Sequence, residues 1–159
     1  MKHWLLKSEP ESYSIDHLER DGETCWDGVR NYQSRNFMRD EMKPGDRVLF
    51  YHSNANPPAV AGLAEVSRAA YPDPAALDPK SPYHDPKASA DDPRWFMVDI
   101  RFVEKLPREV PLVELKADPK LAEMLVTGGS RLSVQPVERK HFQHVLQLAK
   151  RSRGDARHG

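Results

Sequence analysis

Proline limits this chain before any other residue does. Fourteen of its 159 residues are proline, nearly double the usual ~5%, and most fall between Pro57 and Pro119. Each lacks a backbone donor and has a fixed φ, so helix interiors and central strands exclude it. The middle of the chain therefore reads as strands joined by long ordered loops. The extreme case is Tyr71 to Pro93, 23 residues with six prolines and no periodicity. Loops of that length in a compact domain are functional or disordered. Tyr71, Tyr83, His84 and Asp85 supply groups by which part of it is tied down.

Periodicity places the regular elements around those loops. Ser14 is a favoured N-cap, with Tyr13 and Leu18 at staple positions around a helix of about two turns. A second helix opens at Asn31 and stops before Pro44-Gly45. Phe37 and Met38 share one side of it, while Arg35, Arg39 and Lys43 rise at i, i+4, i+8 as a basic ridge on another. Strands are expected at Arg47–His52 and Ala59–Val66, the latter with a bulge or close backbone approach at Gly62. From Trp95 to Val103, Phe96, Val98, Ile100 and Phe102 face one way and Met97, Asp99 and Arg101 the other. Trp95 falls by parity on the polar side. Short strands at Met1–Leu6 and Leu132–Val137 complete a set of five or six, and a last helix from Glu138 to about Arg151 packs Phe142, Val145, Leu146 and Ala149. One mixed α+β domain, residues 1–151, is followed by a tail, 152–159, expected to be disordered.

Several function classes drop out. Twenty-four Lys+Arg balance 24 Asp+Glu, which argues against coating nucleic acid by bulk electrostatics but not against a local basic patch. A single cysteine, Cys25, precludes an internal disulfide or a cysteine zinc cluster; it reads as a small buried group in a reducing compartment. No stretch approaches ~18 apolar residues, and the first apolar run is too short for a signal peptide, so a cytoplasmic protein with no membrane partner is expected. Phosphate-loop, dinucleotide, zincin and nucleophile-elbow motifs are missing. His141 and His144, at i, i+3 without carboxylate or thiol companions, read as a solvated helix face, so neither a metal nor a cofactor is expected. Oligomeric state is not encoded in any motif, and a monomer is the expectation.

Aromatic and small polar residues recur together at strand ends: Trp4 to Pro10, Cys25 to Tyr32, Phe50 to Asn54, and Arg131 to Pro136. Each sets a flat apolar face within a few residues of donors and acceptors, which is what a pocket for a planar heterocycle requires. A core tryptophan followed by loop polars explains any one cluster, and Trp4, opening an apolar strand, is read that way. Four clusters in a chain this short point to a pocket.

The motifs Trp4-Leu5-Leu6-Lys7-Ser8-Glu9-Pro10, Trp26-Asp27-Gly28-Val29-Arg30-Asn31, Phe50-Tyr51-His52-Ser53, Tyr71-Pro72-Asp73 and Arg131-Leu132-Ser133-Val134-Gln135-Pro136 closely resemble the EVE domain. More narrowly they resemble the thymocyte nuclear protein family and its bacterial relatives, from Trp4 to about Leu148. The resemblance implies a PUA-like fold, a compact bent β-barrel with flanking helices, related to the YTH readers of methylated adenine in RNA. It also implies recognition of a modified base, with modified cytosine in DNA the usual proposal.

Carried over by motif, Trp26 is a stacking wall and Asn31 a base-edge hydrogen-bonder, with Lys7, Ser8 and Glu9 as the pocket floor. Tyr51, His52 and Ser53 border the cavity, and Arg131, Leu132 and Ser133 close it. Trp95 is either a cage wall or a rim residue, and Glu9 either lines the floor or pairs with Arg30 or Arg131. Arg30, Arg35, Arg39 and Lys43 are expected phosphate contacts, the ridge being otherwise an ordinary solvated face. One departure stands out: relatives often show Tyr-Asp-Pro where this chain has Tyr83-His84-Asp85-Pro86.

The leading functional reading is a non-catalytic reader of a modified base in DNA or RNA. The other is a small metal-independent amidohydrolase acting on a modified nucleoside, with Lys7, Glu9 and His52 as acid and base. A lowered Lys7 pKa would favour the second.

Overall fold

The computed structural model describes residues 1–151; the expectation for the 152–159 tail lies outside them. Six strands form one mixed sheet: β1 (His3–Ser8), β2 (Glu23–Cys25), β3 (Arg47–His52), β4 (Ala59–Pro72), β5 (Phe96–Pro111) and β6 (Val134–Val137), in the order β2-β5-β4-β3-β1-β6. The β1–β3 pair is parallel and the other neighbours antiparallel. Four helices flank it: α1 (Ile15–Asp21), α2 (Tyr32–Asp40), α3 (Leu112–Ala117) and α4 (Arg139–Lys150). No helix among the described residues is long and apolar enough to cross a membrane.

The sheet bends but does not close. Strand β4 meets β5 with register shifts at Val60/Gly62, Leu63/Ala64, Val66/Arg68 and Arg68/Tyr71. Bulges of this kind increase local twist and curl the sheet. Yet β2 and β6 remain its two ends, so the expected barrel is an open six-stranded sheet. The widest shift explains a boundary the alternating pattern missed. Strand β5 runs past Val103 to Pro111, and Pro107 is accommodated because it falls in the gap between the Gly62–Lys105 and Val60–Val110 pairs. Gly62 makes the expected close approach: a Cβ there would lie 2.4 Å from the Ile15 side chain.

Both faces of the sheet are buried. Trp4, Leu6, Val48 and Phe50 pack with Ile15 and Leu18 of α1 and Met38 of α2. Leu5, Leu49 and Tyr51 pack on the other side with Leu115 of α3 and Phe142 and Val145 of α4. Period-two alternation thus feeds two cores at once, which is why β1 and β3 read as unbroken apolar runs. Trp4 is a core residue whose Nε1 donates to buried Asp46 at 2.9 Å.

Caps set the helix starts where the pattern placed them. The Ser14 side chain accepts from His17 N, and His17 Nδ1 accepts from Ser14 N, a reciprocal box with histidine in the usual Glu/Gln position. Asn31 Oδ1 accepts from Ser34 N at 2.9 Å. Helix α2 then ends earlier than the ridge requires. Glu41 N and Met42 N both donate to the Phe37 carbonyl, so Lys43 lies beyond the helix and the i, i+4, i+8 ridge is broken.

Two further expectations are corrected. Cys25, on short edge strand β2, is exposed. His141 is buried, and His144 Nε2 lies 2.6 Å from Asp118 Oδ2, so these histidines are packed into the domain by α4 instead of facing solvent.

Histidine 52 couples this packing to pH. Its Nε2 accepts from Ile15 N at 3.1 Å, which only an unprotonated nitrogen can do. Burial lowers its pKa below the ordinary 6.5, while Glu109 and Asp16 oppose the shift. The unfolded chain therefore takes up the proton more readily. This contribution to stability is intact above pH 6.5 and is lost progressively as pH falls through the folded-state pKa. Thermal melts should show a lower Tm at pH 5.5 than at pH 7.5, and His52→Gln, which can still accept from Ile15 N, should flatten the difference. An equally steep loss in His52→Gln would assign it to other groups.

Candidate functional site

The ends of β1 and β2 open onto one cavity of about 690 Å³. Strand β1 and the turn after it supply Lys7, Ser8, Glu9, Ser12 and Tyr13; β2 and the segment leading to α2 supply Thr24 through Asn31; Ser133 and Tyr83 come from distant loops. That volume is within the range of small-molecule sites.

Trp26 is half-buried on this wall. Its ring meets Tyr13 and Phe50 edge-on, with centroids 6.5 Å and 5.5 Å away, and its backbone N–H donates to the Val98 carbonyl at 2.7 Å. The indole is therefore held in place while part of it stays open.

The polar groups are already partly committed, which defines what each has left. Ser8 Oγ donates to the Tyr13 carbonyl at 2.5 Å, leaving it an acceptor. Asn31 spends Oδ1 on the α2 cap, leaving its NH₂ as a donor. Lys7 Nζ donates to the Ser130 carbonyl at 2.9 Å, and burial lowers its pKa. Asp27 makes no side-chain hydrogen bond or ion pair to another residue among the described residues; burial and then neighbouring Asp73 raise its pKa, opposed by its own backbone N–H. Glu9 pairs with neither Arg30 nor Arg131.

A buried carboxylate builds the outer side. Asp73, 1% exposed, accepts from Gly28 N at 2.9 Å and from Arg30 Nη1 at 3.1 Å through Oδ2, and from Ala75 N at 2.9 Å through Oδ1. Arg30 Nε donates to the Tyr83 carbonyl at 2.9 Å. Gly28 has φ +76°, and a Cβ there would come within 2.8 Å of the Tyr83 ring. Only a residue without a side chain lets Tyr83 close against this turn. The proline-rich segment is thus tied down on the cavity, and Tyr83 lines it.

The structure brings together Lys7, Ser8, Glu9, Trp26, Asn31, Ser133 and Arg30. It places the other expected residues off the cavity wall. Tyr51 is buried in the second core, its ring centroid 5.8 Å from Lys7 Nζ. His52 is held by Ile15, and Ser53 N donates to the Ser8 carbonyl behind the floor. Arg131 is exposed, and Leu132 N donates to Ser130 Oγ. Trp95, placed by parity on a polar face, is 4% exposed: its Nε1 donates to Asp85 Oδ2 at 2.7 Å and its ring stacks on Tyr32. It wedges the loop rather than walling the cavity. Arg39 pairs with Asp40, and Arg35 turns toward Tyr32 and the Arg94 carbonyl. Tyr13, Asp27, Gly28 and Tyr83 join the wall beyond the residues the motifs assign to it. Among the described residues, no group of three or more His, Cys, Asp or Glu could hold a metal ion.

The model of the EVE domain matches residues 2–148. The chain belongs to the EVE domain family. Human thymocyte nuclear protein 1 is 42% identical over 165 residues, covering 92% of this chain and 73% of that protein. Human THYN1 protein in complex with 5-methylcytosine containing DNA superposes with a TM-score of 0.90 at 41% identity, covering 96% of this chain and 99% of the other. The fold extends further: the YTH domain of Zygosaccharomyces rouxii MRB1 protein, in complex with N6-methyladenosine RNA, gives a TM-score of 0.55 at 15% identity over 96% of this EVE domain and 86% of that chain.

Proposed function

We propose that this EVE domain is a non-catalytic reader that takes one modified base, a modified cytosine in DNA, into the cavity. The observation that carries this is the joining of a half-open indole to base-edge groups of known remaining capacity. Trp26 offers a stacking face, Ser8 Oγ and Asp27 are acceptors matched to a cytosine amino group, and the Asn31 NH₂ is a donor matched to its carbonyl. The human relative bound to 5-methylcytosine DNA supports the same polymer and base. Arg30 lies on the cavity wall, Arg35 and Arg39 on α2 after it, and Lys43 past the end of that helix; there they contact phosphate without reading sequence. Extruding a base costs a few kcal/mol, which itself favours already single-stranded or weakened sites.

The lowered Lys7 pKa favours a second reading, hydrolysis of a modified nucleoside. The acid–base set it needs is not assembled, because His52 stands off the cavity wall with Nε2 occupied by Ile15 N. One experiment separates the two: a panel of oligonucleotides and nucleosides carrying cytosine, 5-methylcytosine and other modified bases, at fixed salt, scored by fluorescence for binding and by mass spectrometry for turnover. Preferential binding of a modified cytosine without product is expected. Product formation, or equal binding of every base, overturns the reader.

A further inference from the structure

Beside the cavity stands an aromatic pile that the base pocket does not use. Tyr32 follows cavity residue Asn31 directly in the chain and is 52% exposed. Its ring lies on Trp95 with centroids 4.7 Å apart and planes 25° from parallel. Trp95 is itself immobilised by Asp85. On this pile Arg35 places its guanidinium 4.7 Å from the Tyr32 ring and 5.8 Å from the Trp95 ring. It is clamped there by the Arg94 carbonyl at 2.9 Å and by Asn36 Oδ1 at 2.8 Å. Arg94 has φ +59°, a left-handed backbone that a non-glycine residue adopts at a cost. Strain of this kind concentrates at binding and switch sites. Arg30 continues the strip, 5.3 Å from Trp95 on one side and 5.6 Å from Tyr83 on the other.

We infer that the exposed end of this pile, Tyr32 with the Arg35 guanidinium, is a second stacking site that takes the base next in the strand to the one in the cavity. The inference rests on the reader reading above. Alternating aromatic and arginine groups on a rigid backing are what a splayed nucleic-acid strand stacks on, since every base has a π-face and arginine adds a cation beside the phosphate. The occupant is a nucleotide rather than a free nucleoside, because covalent continuity with the pocketed base is what brings it to Tyr32. Such a site would make binding depend on the presence of a neighbouring base but not on its identity.

The test uses two trinucleotides with a central 5-methylcytosine, one with thymine flanks and one with abasic flanks, so that phosphate charge is equal. Wild type should prefer the thymine-flanked form by about 5- to 150-fold, the usual worth of one stacked base. Tyr32→Ala should remove that preference while leaving both the Tm and the affinity for the abasic-flanked form near wild type; Tyr32→Phe should retain it. The inference is overturned if abasic flanks cost wild type nothing, or if Tyr32→Ala weakens both trinucleotides equally, as a purely structural role would. The reader reading fails separately, by equal affinity for central cytosine and 5-methylcytosine and no loss in Trp26→Ala.

Discussion

Trp26→Ala is expected to cut binding of the preferred base by about 5- to 150-fold, the equivalent of the ~1–3 kcal/mol lost when a base loses an aromatic stacking partner. Trp26→Phe should keep much of the affinity, because a π-face survives. Most of the fold should survive either change. Trp26 is only half-buried, and it meets the first core from its margin, edge-on to Tyr13 on the cavity wall and to buried Phe50 behind it. Backbone hydrogen bonding to Val98 does not depend on the side chain. Circular dichroism and a thermal melt establish folding, and a titration with the modified oligonucleotide gives the affinity. An Ala variant that binds normally would place the stacking wall elsewhere, and one that unfolds would make Trp26 a core residue.

What could be read from the chain follows from where each signal is stored. Helix starts at Ser14 and Asn31 were legible because a cap is a local event, one side chain closing on an N–H three residues on. The end of α2 was not, since helical periodicity continues on paper through Lys43 while the backbone has already turned at Glu41 and Met42. Strand β5 was read only to Val103 because Glu104, Lys105 and Pro107 break the alternation; its second half is held by β4 across a wide bulge, a partner that no local window contains. Strand β1 and strand β3 were easy for the opposite reason, being apolar on both faces. Within the site, the contiguous run from Trp26 to Asn31 announced an aromatic wall with polar edges. Tyr83 arrives from more than fifty residues away, and what brings it, a carboxylate at Asp73 and a missing Cβ at Gly28, has no periodic signature. Trp95 misled because parity holds only inside a strand. It lies one residue before β5, where Asp85 and Tyr32 decide its environment.

Asp73 is where stability and site geometry meet, so its removal should be the most damaging single polar change near the cavity. Three donors converge on it: Gly28 N from the Trp26 turn, Arg30 Nη1, and Ala75 N at the start of the loop. Asp73→Ala leaves Gly28 N and Ala75 N without their acceptor and takes the counter-charge from Arg30, whose side chain is 22% exposed and keeps only the Val29 and Tyr83 carbonyls. Breaking a fully buried ion pair costs about 3–5 kcal/mol; because water reaches part of Arg30, roughly 2–4 kcal/mol is the fitting range. For a domain of this size that lowers Tm by about 5–15 °C. Asp73→Asn should lose less, because one amide oxygen can still serve either Oδ2's two donors or Ala75 N, but not both sets. Base binding should fall in both variants even well below Tm. The carboxylate fixes the turn that presents Trp26 and, through Arg30, the Tyr83 carbonyl on the opposite bank. Melting curves and titrations at 15 °C separate the two losses. A wild-type Tm in Asp73→Ala would mean the loop is held by Trp95 and Asp85 instead, and full binding in a destabilised Asp73→Ala would detach the cavity's shape from this carboxylate.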